Sequence, residues 1–187
     1  MGKLLIFSAP SGAGKTTLVK HLLGSDLNLV FSISATSREK RGSEEDKIDY
    51  YFLSPEEFRL RVEKGDFVEW EEVYKDHYYG TLNSEIDRIW ADNKHVLFDI
   101  DVAGGINLKK IYGENSLSIF VMPPSENSLK ERLIKRGTDT ADKIEMRIKK
   151  AKQEIDMAAE FDRIVINDNL EETCDEVYSL VSAFINT

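Results

Sequence analysis

Five short runs along the chain are apolar on both faces, and this pattern limits the fold more than any other feature of the sequence. They are Leu4-Leu5-Ile6-Phe7, Val30-Phe31-Ser32-Ile33, Val96-Leu97-Phe98, Leu117-Ser118-Ile119-Phe120-Val121 and Ile164-Val165-Ile166. A strand with one wet face alternates apolar and polar residues. Runs like these are covered on both sides, and the amphipathic stretches between them supply the covering helices. The fold class is therefore α/β, with a parallel sheet between helical layers. Helix boundaries are also written locally. Ser54-Pro55-Glu56-Glu57 combines an N-cap, a first-turn proline and a capping-box carboxylate ahead of Gly65, and Asn169 with Glu172 starts a last helix that carries Cys174.

The alternation is interrupted once. From Arg38 to Thr81 the chain reads as a polar loop, short strands near Tyr50-Tyr51-Phe52 and Phe67-Val68-Glu69-Trp70, one short helix and a tyrosine-rich turn. This is expected to be an inserted subdomain. A second polar segment, Arg136 to Lys149, joins two helices across Gly137-Thr138-Asp139-Thr140 and reads as a mobile flap. With 187 residues and 41% hydrophobic content, one well-packed domain needs no disulfide or structural metal, and a single cysteine fits a reducing cytoplasm. The apolar run after Met1-Gly2-Lys3 ends at Ser8, too short for a signal peptide or a membrane span. Twenty-five basic against 34 acidic side chains leave a net charge of −9, which excludes a general nucleic-acid surface. A phosphate ligand must meet a local cluster of cations.

One such cluster is explicit. Ala9-Pro10-Ser11-Gly12-Ala13-Gly14-Lys15-Thr16 follows a predicted strand and opens a predicted helix, the context in which a P-loop motif has mechanical meaning. Gly12 and Gly14 let successive N–H groups converge on phosphate oxygens at a helix N-terminus. Ser11, Gly12, Ala13, Gly14, Lys15, Thr16 and Thr17 are expected to hold ATP, with Lys15 on the β- and γ-phosphates and the Thr16 hydroxyl on Mg²⁺. Ala9 replaces the usual first glycine. Asp99 and Asp101 close the run Val96-Leu97-Phe98, where a strand's period of two would set both carboxylates on one face; they also read as strand-end acids in solvent. Asn93-Lys94-His95-Val96 lacks the acid of a GTPase guanine-recognition motif, which disfavours a GTPase.

The second substrate should meet the inserted region. Arg38 and Arg41, with Tyr50, Tyr79 and Thr81, suit a second phosphate, since guanidinium forks bind a monoester in a bidentate way. Standing among Glu39, Lys40, Glu44, Glu45 and Asp46, the two arginines equally read as a solvated charged loop. Glu69, between Val68 and Trp70, could accept from the N1–H and N2 amino group of guanine, and Ser34 could donate to O6.

These stretches, together with Ser32-Ile33-Ser34-Ala35-Thr36-Ser37-Arg38, Tyr78-Tyr79-Gly80-Thr81, Arg132 to Gly137 and Val165-Ile166-Asn167-Asp168, closely resemble the guanylate kinase family over essentially the whole chain. The resemblance implies five parallel core strands flanked by helices (1–34 and 82–187), an inserted mixed α/β GMP-binding subdomain (about 35–81) and a helical lid (about 133–150). It assigns Ser34, Glu69, Thr81 and Asp101 to guanine and Arg38, Arg41, Tyr50 and Tyr79 to the GMP phosphate. Asp99 goes to the ribose or to a metal-bound water, Arg132, Arg136 and Arg147 to the lid, and Asn167 to the adenine side. Departures are the loop Gly42 to Ile48 and Ser37 in place of a common threonine. The expected activity is phosphoryl transfer from ATP to GMP or dGMP with Mg²⁺, by a cytoplasmic monomer or homodimer. Lys15, Arg38, Arg132, Arg136 and Arg147 would carry catalysis. Two rivals differ in class: an interaction module that binds a phosphopeptide in the monophosphate cleft, opposed by Gly14-Lys15-Thr16 and the lid arginines, and a P-loop kinase with another acceptor, opposed by Glu69 and Ser34.

Overall fold

A computed structural model of the chain describes residues 2–137 and 139–187; Met1 and Thr138, the latter within the expected flap break, lie outside the described residues. The elements in chain order are β1 (Leu4–Ser8), α1 (Lys15–Leu23), β2 (Leu29–Phe31), β3 (Ala35–Thr36), β4 (Tyr51–Phe52), α2 (Pro55–Glu63), β5 (Phe67–Tyr74), β6 (His77–Leu82), α3 (Asn83–Ala91), β7 (His95–Asp99), α4 (Val102–Tyr112), β8 (Ser116–Met122), α5 (Glu126–Arg136), α6 (Ala141–Asp156), β9 (Arg163–Ile166) and α7 (Leu170–Ile185). They build a five-stranded parallel sheet in the order β2-β7-β1-β8-β9 and a mixed four-stranded sheet in the order β4-β3-β6-β5. Two compact units result, one of Val30–Val96 with Gly2, the other of Lys3–Leu29 with Leu97–Thr187. Among the described residues no helix is long and apolar enough to cross a membrane.

In the larger unit β1 pairs in parallel with β8, and β8 with β9. Alternate strand residues go to opposite faces, as the apolar runs require. Leu5, Phe7, Ile119 and Val121 pack with Leu18 and Leu22 of α1 and with Val177 and Val181 of α7. Phe120 packs the other way, with Val102 of α4 and Phe161. Cys174 lies buried on α7 in the first of these cores, and burial pushes its thiol pKa up. Helix α4 approaches β1 closely at Gly105, where a Cβ would stand 2.5 Å from the Ser8 hydroxyl and 3.2 Å from the Phe161 ring.

In the smaller unit β3 pairs in parallel with β4 and antiparallel with β6, and β6 pairs antiparallel with β5. Phe58 of α2, fully buried, stacks on Phe67 at 4.3 Å and on Tyr78 at 5.2 Å, and this aromatic stack closes one face of the sheet. The Ser54 hydroxyl accepts from Glu57 N, and Asn169 accepts from Glu171 N and Glu172 N, so both expected caps form.

Two expectations need correction. The tyrosine-rich segment is not simply a turn: Tyr78 and Tyr79 lie in β6, the turn falls at Lys75-Asp76, and burial of Tyr78 against Phe58 of α2 overrides local polarity. The second apolar run leaves the sheet after Phe31, and Ile33 N donates instead to the Glu85 carboxylate. The polar segment from Arg136 to Lys149 is helical over most of its length, as the helical lid implied by the resemblance requires, with α5 ending at Arg136 and α6 starting at Ala141.

One carboxylate ties α4, β8 and the start of β9 together. Asp162 accepts from Ser118 N at 2.8 Å and from the Ser118 hydroxyl at 2.9 Å, and pairs with Lys109 at 2.8 Å. Burial works to raise its pKa, but the Lys109 and Ser118 hydrogen bonds outweigh it and hold the carboxyl below its ordinary value. A depressed folded pKa means that the stabilisation is complete above the unfolded value of about 3.9 and is lost as pH falls through the folded value. Asp162→Asn should therefore cost about 1–3 kcal/mol at pH 7. Denaturant titrations should find that deficit shrinking below about pH 4.

Candidate active site

The residues expected to hold the donor nucleotide lie in the larger unit, at the turn from β1 into α1. Gly14 caps α1 with φ 98°, a left-handed conformation, and a Cβ there would overlap the Asn167 amide. Turning successive N–H groups toward an anion turns carbonyls outward, and those need donors of their own. The Ala13 carbonyl receives two: Asn167 Nδ2 at 2.7 Å and the Arg132 guanidinium at 3.3 Å. Arg132 also donates to the Asn167 carbonyl at 2.8 Å. Asn167, expected on the adenine side, is buried with its amide engaged on the loop.

Lys15 forms an ion pair with Asp99 at 2.6 Å and donates to the Ile100 carbonyl at 2.7 Å. Thr16 and Thr17 follow it, exposed, in the first turn of α1. Asp101 is not a strand residue. It caps α4, its carboxylate accepting from Gly104 N at 2.8 Å, so the two-residue strand period does not relate it to Asp99; the backbone leaves β7 after Asp99. Arg147 of α6 donates to the Ser11 hydroxyl and pairs with Asp139 at 3.1 Å. Arg136, in the last turn of α5, is exposed.

The acceptor candidates Ser34, Arg38, Arg41, Tyr50, Glu69, Tyr79 and Thr81 all fall in the smaller unit, whereas Asp99 and Asp101 fall in the larger. Arg38 is 7% exposed, so it is no solvated loop charge. Its fork is bidentate to Glu44 at 2.6 and 2.8 Å, its Nε donates to the Tyr79 hydroxyl at 3.1 Å, and its guanidinium lies 4.9 Å from the Tyr50 ring centre. Hydrogen bonds from Arg38 and from the Arg41 backbone pull the Glu44 carboxyl down to about 2, and Glu44 in turn raises Arg38. Across the β5–β6 ladder Glu69 stands opposite Thr81, whose hydroxyl donates to the Glu69 carboxylate at 2.8 Å. Ser34 is half-buried, and its carbonyl accepts from Tyr51 N at 2.9 Å.

Sequence reasoning missed three acids here. Glu44 sat in a loop read by composition, although a carboxylate three residues after Arg41 fits a turn, and its side chain does accept from Arg41 N. Asp139 carries no signal apart from its place two residues after Gly137. Glu154 of α6 is largely buried; burial raises its pKa, with Asp101 adding to the effect while Lys150 and Lys15 oppose it.

Gly14→Ala should raise the KM for ATP by about tenfold or more, because a methyl group at that φ displaces the Asn167 clamp on the loop. The melting temperature should fall as well, by more than about 2–4 °C, because the left-handed φ and the displaced buried amide both count against the variant. Steady-state kinetics beside calorimetry would check both.

The sequence matches the guanylate kinase family over residues 1–184. It is 53% identical to a guanylate kinase of Bacteroides thetaiotaomicron over 99% of this chain and 91% of that one. It is 52% identical to a guanylate kinase of Porphyromonas gingivalis over 99% of both chains. A crystal structure of guanylate kinase from Anaplasma phagocytophilum superposes with a TM-score of 0.74 at 28% identity, covering 100% of this chain and 87% of that one. A phosphate loop paired with a strand-end aspartate, an arginine–tyrosine cluster in a separate unit, and a match spanning nearly every residue lead to one conclusion: the chain belongs to the guanylate kinase family.

Proposed function

We propose that this chain transfers the γ-phosphoryl group of ATP to GMP, giving GDP and ADP, with dGMP as a second acceptor. The observation that carries the reading, beside family membership, is the cross-strand pair of Glu69 and Thr81. A carboxylate held by a neighbouring hydroxyl is set to accept from the adjacent N1–H and N2 donors of guanine. Adenine has no such donor pair, and would leave the carboxylate unpaired. Ser34 supplies a donor for O6, and Asp101 adds an acceptor.

No general base is required, because a phosphate monoester is mostly dianionic at neutral pH, with a second pKa of about 6. Catalysis reduces to in-line positioning and charge neutralisation. The loop from Ser11 to Thr17 holds the donor phosphates, and Lys15 exchanges its carboxylate partner for phosphate oxygens. The GMP phosphate takes the place of Glu44 on the Arg38 fork, with Arg41, Tyr50 and Tyr79 around it. Arg136 and Arg147 bring positive charge from the lid (about 133–150) and Arg132 from the helix that leads into it, and closure of the lid excludes water. Asn167 contributes by fixing the loop under the donor nucleotide.

Thr16 and Asp99 are the residues that would hold a magnesium ion, Asp99 through water. A hydroxyl and a carboxylate are hard oxygen donors, and an ion that keeps most of its water fits so sparse a set. Among the described residues no three His, Cys, Asp or Glu side chains form a cage, so Thr16 and Asp99 would hold the ion only together with the bound nucleotide. When bound, the ion neutralises charge on the β- and γ-phosphate oxygens. The acceptor subdomain (about 35–81) and core work on free nucleotides in the cytoplasm, as a monomer or homodimer.

Assay of GMP, dGMP, AMP, CMP and UMP with ATP should give turnover with the first two alone. Equal turnover of AMP would overturn the assignment. Glu69→Gln should raise the KM for GMP by about 10- to 100-fold and narrow the preference over AMP, because an amide cannot accept from both guanine donors. Lys15→Ala should lower kcat by a factor corresponding to about 2–4 kcal/mol and move the KM for GMP far less, since Lys15 acts on charge that develops during transfer.

A further inference from the structure

Glu85, in the first turn of α3, is 1% exposed, which is rare for a carboxylate unless every lone pair is used. Both of its oxygens are used. Oε1 accepts from Ile33 N at 3.0 Å and from the Arg88 guanidinium at 2.9 Å; Oε2 accepts from the Tyr51 hydroxyl at 2.7 Å and from Arg88 Nε at 2.9 Å. Burial works to raise the Glu85 carboxyl, but the bonds from Arg88, Ile33 and Tyr51 pull it below its ordinary value, so it is ionised at neutral pH. Burial and the neighbouring carboxylate raise the Tyr51 hydroxyl, which therefore remains a donor.

These bonds close a circuit. Ile33 immediately precedes Ser34; the Ser34 carbonyl accepts from Tyr51 N at 2.9 Å; and the Tyr51 side chain returns to Glu85. On one side the circuit fixes the backbone that carries the Ser34 hydroxyl. On the other it fixes β4, next to Tyr50, whose ring packs 6.2 Å from Tyr79 and 4.9 Å from the Arg38 guanidinium. An ordinary surface ion pair would join two side chains on one helix. Here the charge is spent on a main-chain amide and a hydroxyl from two other segments.

We propose that Glu85 is a positioning residue for acceptor recognition, holding Ser34 and Tyr50 in fixed relation so that base and phosphate of the monophosphate are read together. The proposal rests on the reading that Ser34 and Tyr50 contact GMP. Arg88 neutralises the buried charge from the solvent side, its own side chain being half exposed. Replacing either Glu85 or Tyr51 loosens the circuit without touching any group assigned to substrate.

The test is steady-state kinetics of the full chain with Glu85→Gln, Tyr51→Phe, their combination, and Ser34→Ala as a reference, each with its melting temperature. Glu85→Gln and Tyr51→Phe should each raise the KM for GMP by about 3- to 30-fold, with the KM for ATP moving by less than about twofold. The double variant should be no worse than the more damaging single one, because both break the same circuit. A role confined to stability would lower the melting temperature of both variants and leave the KM for GMP within about twofold of the parent; that result, with Ser34→Ala weakening GMP, would overturn the proposal. No effect of Ser34→Ala on GMP would instead remove the reading beneath it, and the proposal with it. If Glu85→Gln does not accumulate as folded protein, Tyr51→Phe, which deletes one oxygen atom, decides between the same outcomes.

Discussion

A loop that binds an anion through its backbone N–H groups must do something with the carbonyls turned away from the anion. In this protein the Ala13 carbonyl is that remainder, and what satisfies it organises the donor half. Asn167 reaches it from the end of β9 and Arg132 from α5, and Arg132 also holds the Asn167 backbone. The end of β9, helix α5 and the phosphate loop thus share one acceptor atom. The glycine at position 14 is demanded twice over, by its positive φ and by the amide lying against it. Loop shape is fixed by protein contacts before any phosphate arrives, which is the preorganisation that electrostatic catalysis requires.

The same economy governs charge. A chain with net charge −9 must bind two polyanionic nucleotides, and it does not do so with a bare positive field. Lys15 is held by Asp99, Arg38 by Glu44, and Arg147 by Asp139. These three cations each already have a carboxylate partner and a defined position. Exchange of carboxylate for phosphate conserves local charge and avoids burying a naked guanidinium, at the cost of competing with an acid already in place. Geometry, more than attraction at long range, then distinguishes substrate from other anions.

Much of this was legible in the sequence where a rule acts over a few residues. The double-faced apolar runs gave the parallel sheet, Ser54 and Asn169 marked helix starts, and the glycine pattern before Lys15 marked the loop. What escaped was set by contacts distant in sequence. Asp101 read as a strand residue because periodicity cannot show where a backbone leaves the sheet; its cap on Gly104 depends on the turn that follows. Tyr78 and Tyr79 read as a turn because the run lacks a clear apolar alternation, and what makes it a strand is pairing with β3 and β5 and packing on Phe58, contacts distant in sequence. Glu85 gave no signal at all. An acid in the first turn of a helix usually faces water and the helix dipole, and only Ile33 and Tyr51, 52 and 34 residues away, turn it into a buried junction.

The buried Cys174 has a practical consequence. Its thiol sits within the core beneath α7 and is kept protonated by that burial, so it is the wrong species in the wrong place for attack on a maleimide or a disulfide. With one cysteine in the whole chain, the native molecule offers a silent background for site-specific chemistry. A single cysteine introduced on the exposed face of α6 would take a fluorophore or spin label alone, with the native core left intact, and would report distances to the rest of the molecule as nucleotides come and go.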